Sequence, residues 1–151
     1  TWGRRQLADV DGMDRLAVLL GKVVRQLPVL AAPLAAGWRR VPLPDDPPAR
    51  VTQFAHVLRE HRGAMHIVAC VAAGMAPLHA ILAGPGGVEG ARYFGWPPPY
   101  PTVDPALSAA RVGVEEHTDQ LAGPIWGVLD SVEAAECRHL LQVTAERLDS
   151  K

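Results

Sequence analysis

Aromatic side chains make up only 5% of this chain, and Ala, Leu and Val dominate the rest of its apolar residues. That scarcity argues against a β-sandwich or barrel, whose strands draw on aromatic and β-branched residues, and suits packed helices instead. Neither sign of charge prevails. With 15 Lys and Arg against 16 Asp and Glu, the formal charge of −1 offers no broad basic surface of the kind duplex DNA attracts. The pairs Arg4–Arg5 and Arg39–Arg40 are small local exceptions. Cysteine is nearly absent. Cys70 and Cys137 belong to no CxxC or Cys/His ligand pattern, so a metal site lacks spacing support, and they read as free, partly buried thiols in a reducing compartment. The longest apolar run, Met65 to Gly84, is broken by His66, Pro77 and His79. It reads as two buried helical pieces and not a membrane span. No basic-then-apolar leader is visible, so the expected location is cytoplasmic. The chain starts at Thr1 without an initiator Met, which reads as trimming or a fragment.

What is present is a 48% apolar chain of 151 residues, enough for one domain with a core of its own. No period-two strand and no internal repeat is visible. Asp11 to Leu27 is amphipathic at 3–4 spacing through Met13, Leu16, Leu20, Val23 and Leu27, with Asp11 or Asp14 available as cap. Pro28 closes it. A second helix covers Leu30 to Arg39, with Pro33 in its first turn. After the extended stretch Val41 to Pro48, Asp46 caps and Pro47 opens a long central helix that Gly74 ends. Gly63 lies inside it, costing stability unless it allows a close backbone approach. Pro77 to Ala83 is a short helix closed by AGPGG, and Val88 to Phe94 is another short helix or turn. FGWPPPYP (Phe94 to Pro101) is extended because its prolines fix φ and remove donors. Asp104 caps a helix from Pro105 to about Leu121, and Asp130-Ser-Val-Glu133 is a capping box for the last helix, which runs to about Leu148. The expectation is a single all-α domain over 1–151, a compact bundle of about five main helices with Pro-rich connections. Its parts are an N-terminal helical pair (10–40), a central helix (46–75), short helices and a Pro-rich loop (76–101), and a C-terminal pair (104–149).

His56, His61 and His66 recur every five residues, which on a helix is about 140° of rotation. The rings therefore diverge, and no metal site is expected. His61 alone falls on the apolar face, with Phe54, Val57, Leu58, Met65, Val68 and Ala72, while His56 and His66 flank the outward face with Arg59 and Cys70. An inward imidazole needs a partner or a use. On the Pro105 to Leu121 helix, His117 and Thr118 fall in the same arc as Leu107, Ala110, Val114 and Leu121, and Arg111 can pair with Glu115 at i,i+4. If the two helices face each other, His61, His117 and Thr118 form a buried polar cluster: a structural network, a ligand pocket or a general acid/base site. Trp126, like Trp96 and Tyr100, stands near proline, where it packs a core edge or lids a pocket. GPGG lacks the spacing and lysine of a phosphate loop, so no cofactor is expected.

LREHRGAMHIVACVAAGM (Leu58 to Met75) and EEHTDQLAGPIWGVL (Glu115 to Leu129) resemble signature segments of an actinobacterial family labelled MarR-like or helix-turn-helix, and FGWPPPYP is similar to one of its branches. The resemblance covers about Asp11 to Leu148, and it matches the C-terminal half of longer members. It implies functional roles for His61, Arg62, Gly63, His66, Thr118 and Asp119. It also implies MarR-like ancestry with the winged-helix part reduced or absent. Pro77 to Phe94 can be bent into a helix-turn-helix, yet Val88 to Trp96 holds one Arg and no Lys, Asn or Gln to read bases.

The leading expectation is therefore a small-molecule-binding helical protein whose ligand meets His61, Arg62, His66, His117, Thr118 and Trp126. The alternatives are a MarR-like regulator binding DNA as a dimer, and a small helical enzyme using His61 as general acid/base. A homodimer or a complementary chain is the expected partner, because a chain resembling half of a longer protein leaves apolar surface uncovered.

Overall fold

The computed structural model describes residues 2–150. Helices account for its regular structure, and no strand lies among those residues. In chain order they are α1 (Trp2–Leu7), α2 (Met13–Gln26), α3 (Pro33–Arg39), α4 (Pro47–Ala72), α5 (Pro77–Leu82), α6 (Gly87–Tyr93), α7 (Pro105–Ala122), a 3-10 turn at Gly123–Val128, and α8 (Ser131–Asp149). The fold is all-α, as composition and periodicity predicted. The chain forms two compact units. One combines the residues up to Arg62 with those from Gly123 onward, and the other is Gly63–Ala122.

In the larger unit, α2 supplies the centre of the core. Leu16, Leu19, Leu20 and Val23 have no exposed surface, and this face packs against α8 and the 3-10 turn. Burial of that kind stabilises by about 1.5–3 kcal/mol per large side chain. Charge pairs border the same contact: Arg15 meets Glu136 at 2.7 Å, and Lys22 meets Glu133. The α2 cap differs from expectation. Gly12, not Asp11 or Asp14, is the N-cap residue, at φ 79°. Glycine tolerates that left-handed conformation, and a Cβ there would come 2.6 Å from Leu140 Cδ2. A further helix, α1, precedes the first expected one. Its Gly3 is buried, and a Cβ at that position would collide with Thr52 Oγ1 at 2.2 Å, so α1 is held against the start of α4 by the absence of a side chain.

Three expected caps are present. Asp46 Oδ1 accepts from Ala49 N–H at 3.1 Å, Asp104 Oδ1 accepts from Leu107 N–H at 2.7 Å, and Asp130 Oδ1 accepts from Glu133 N–H at 2.9 Å. Pro47 and Pro105 open their helices as read from the sequence.

In the smaller unit, the C-terminal part of α4 ends where Gly74 turns left-handed, φ 63°. Met75 N–H bonds to Cys70 O at 2.9 Å and Gly74 N–H to Val71 O at 3.1 Å, the two bonds of a Schellman stop. Short helices α5 and α6 pack on each other across a glycine-rich turn. A Cβ on Gly90 would just touch Ile81 Cγ2, at 3.4 Å. The core here is Ala69, Cys70, Met75, Ala80 and Val114, with Leu107 and Leu121 partly buried around it. From 96 to 104 the chain has no regular element, as its prolines predicted. Gly63 has open space around its missing side chain, so the close backbone approach considered for it does not occur.

Candidate functional site

The Gly63–Ala122 core is built largely of small side chains, and beside it opens a groove that also borders exposed Ile67, Val71 and Phe94. This cavity of about 420 Å³ lies among His66, Cys70, Met75, Ile81, Phe94 and Arg111, which is within the range of small-molecule sites. Its lining is mostly apolar, and its polar groups come from the i,i+4 pair His66 and Cys70 on α4 and from Arg111 on α7.

Those polar groups form an ordered chain. Thr118 is fully buried and its Oγ1 donates its only proton to Val114 O at 2.7 Å. At the 3.1 Å contact between His66 Nδ1 and Thr118 Oγ1 the hydroxyl must therefore accept, which places the imidazole proton on Nδ1. Glu115 Oε1, 3.7 Å from the same nitrogen, favours a proton there as well. Nε2 is left as a base, 3.6 Å from Cys70 Sγ. Burial pushes the Cys70 thiol up; the Arg111 charge draws it down and Glu115 raises it further. At neutral pH it rests as S–H directed at Nε2. Arg111 Nε donates to Ala80 O at 3.1 Å. Its Nη1 meets Glu115 as an ion pair without hydrogen-bond alignment, the i,i+4 pairing read from the sequence.

The other sequence candidates lie in different settings. His61 is fully buried, and among the described residues neither ring nitrogen has a hydrogen-bond partner. Burial pushes its pKa below the ordinary 6.5, so the ring is neutral at pH 7. His117 is exposed, contrary to the inward orientation expected. Thr118, one position on and about 100° round the helix, is the buried member of that pair. Arg62 is exposed. Trp126 borders a separate cavity of about 270 Å³ with Leu129, Cys137 and Leu141. His56 stacks edge-on against Trp38, ring centroids 4.3 Å apart. Of the expected ligand-binding set, His66 and Thr118 come together. Cys70 and Arg111 were missed as site residues, although the H-x-x-x-C spacing of His66 and Cys70 was a legible signal.

The smaller unit thus pairs two short helices across a glycine turn and carries a cavity beside them. The chain belongs to a helix-turn-helix family, whose sequence profile matches residues 1–99. That span takes in α5, its turn and α6. No curated protein and no solved structure matches the chain. No helix among the described residues is long and apolar enough to cross a membrane.

Proposed function

We propose that this protein is a MarR-like, actinobacterial DNA-binding regulator, working in the cytoplasm as a dimer. The observation that carries the reading is the helix-turn-helix family match over residues 1–99. The pair α5–turn–α6 is the element that would enter a groove, and two copies would read two half-sites. On α6, Val88, Glu89, Arg92 and Tyr93 are exposed. Arg92 is bound to Glu89 at 2.6 Å, so it must exchange a carboxylate for a phosphate or a guanine edge. Affinity for DNA of arbitrary sequence is therefore weak and the salt slope shallow. The test is fluorescence anisotropy with duplex DNA enriched from a random pool. Binding at about 50 mM salt that falls as salt rises, weakens in Arg92→Ala and strengthens in Glu89→Gln supports the reading. No binding of any enriched duplex at low salt contradicts it.

A second reading, reversible binding of a small apolar molecule, is favoured by the cavity at His66, Cys70 and Arg111. Because Arg111 already has Glu115 as its ion-pair partner, the matching ligand is uncharged. Such a ligand would give the regulator its signal.

A further inference from the structure

Cys70 and Cys137 differ in one respect that matters chemically. Both are buried free thiols, and each borders an apolar cavity. Only the Cys70 cavity has a histidine in its lining, and that histidine has its tautomer set. The proton on Nδ1 is held by Thr118, with Glu115 nearby, and Nε2 faces the sulfur at 3.6 Å. A nucleophile, a base and a group that orients the base are the parts of an activated thiol.

We infer that Cys70 is a covalent capture site for neutral, apolar α,β-unsaturated carbonyl compounds that enter the cavity, with His66 as its base. This rests on the ligand reading of the cavity and is independent of DNA binding. When the alkene lies against the sulfur, the thiol proton passes to His66 Nε2 and the sulfur pair forms a C–S bond to the β-carbon. The alkene π pair moves onto the α-carbon and carbonyl oxygen as an enolate. The Nε2 proton then returns to the α-carbon, giving a saturated thioether and a neutral imidazole. No oxidant or other reactant is required. Arg111, whose charge already acts on Cys70, lines the same cavity and so favours the transient anion. Glu115, on the far side of the ring, stabilises the imidazolium formed in the first step.

The same geometry sets selectivity. Cys70 is only 8% exposed and rests as the thiol, so charged reagents that must meet a thiolate in water react slowly. A neutral apolar enone gains by leaving water and is brought to the sulfur. The smaller unit is then a sensor for reactive lipid-like or aromatic carbonyls, recording them as a bond.

The experiment treats the full chain with N-cyclohexylmaleimide or with a carboxylate-bearing maleimide, and follows each cysteine by peptide mass mapping. The neutral reagent is expected to label Cys70 at least tenfold faster than Cys137, and the charged one to show no such preference. In the unaltered chain the Cys70 rate should level off above the titration of an imidazole, whereas a lone buried thiol keeps gaining rate into the alkaline range. His66→Gln should slow Cys70 by about 10²-fold, within the usual range for a positioned base, and restore the alkaline profile. The unreactive analogue N-cyclohexylsuccinimide should protect Cys70. Protection without fast labelling would overturn capture and leave the ligand reading standing. Equal labelling of both cysteines with no protection would overturn both. A Cys70 rate that follows thiol titration in the unaltered chain would overturn the role of His66.

Discussion

The unit built from the residues up to Arg62 and from Gly123 onward is filled by Leu16, Leu19, Leu20 and Val23, all without exposed surface. Gly63–Ala122 centres instead on Ala69, Cys70, Met75, Ala80 and Val114, and a cavity of about 420 Å³ opens beside them. The charged groups follow the same division. In the larger unit Arg15 and Lys22 pair with glutamates at the border of a packed helix contact. In the smaller unit Arg111, Glu115 and His66 are gathered beside the cavity. The larger unit has a cavity too, of about 270 Å³ beside Cys137, but of the two only the one beside Cys70 has a histidine in its lining. On the proposed reading the larger unit supplies stability and the smaller one supplies chemistry.

The sharpest challenge to that contrast is to truncate a core residue on each side. Leu20→Ala should cost about 2–5 kcal/mol in urea unfolding, because the filled core cannot collapse around the loss. Val114→Ala removes fewer atoms from a core of smaller side chains, and should cost about 1–2 kcal/mol. Equal losses would break the comparison.

A smaller effect is expected at His61, whose buried ring nitrogens lack hydrogen-bond partners among the described residues. Replacing it with leucine should raise stability by about 1–3 kcal/mol, the desolvation cost of such a group. The pH dependence follows from the lowered pKa. Unfolded, the ring titrates near 6.5 and folded it titrates lower, so below 6.5 the unfolded chain holds more protons. Stability from this source is complete above about 6.5 and declines as pH falls through the folded value. Thermal melts of the unaltered chain should show that decline, and His61→Leu should remove it. A melting temperature unchanged by the substitution at every pH would mean the ring is satisfied in solution.

The smallest effect belongs to Gly63, in the middle of α4, where an added Cβ meets nothing. Gly63→Ala should stabilise by about 0.5–1 kcal/mol through helix propensity. A loss of stability there would show that the helix needs glycine at the boundary between the units.

These sites also show how far the sequence could be read. The capping aspartates Asp46, Asp104 and Asp130 were legible because a cap is a local event, one side chain and the backbone a few residues on. Helix α1 was not, since its place depends on Gly3 meeting Thr52, a contact distant in sequence. The Gly12 cap was hidden for a similar reason: it leaves room for Leu140. At the site, periodicity identified His61 and Thr118 as inward residues, and both are fully buried. It misplaced His117, because at an arc's edge a single residue's step decides between core and solvent. His66 and Cys70 read as outward residues because the wheel registers one helix's apolar stripe. The cavity they line is made by α5, α6 and α7 as well.

Amide hydrogen exchange with and without an enriched DNA duplex decides whether function resides in Gly63–Ala122 with the larger unit as scaffold. New protection is expected only within Pro77–Tyr93, with α2 and α8 unchanged. Protection centred on α2 or α8, or none between Pro77 and Tyr93 while the duplex is bound, would contradict it.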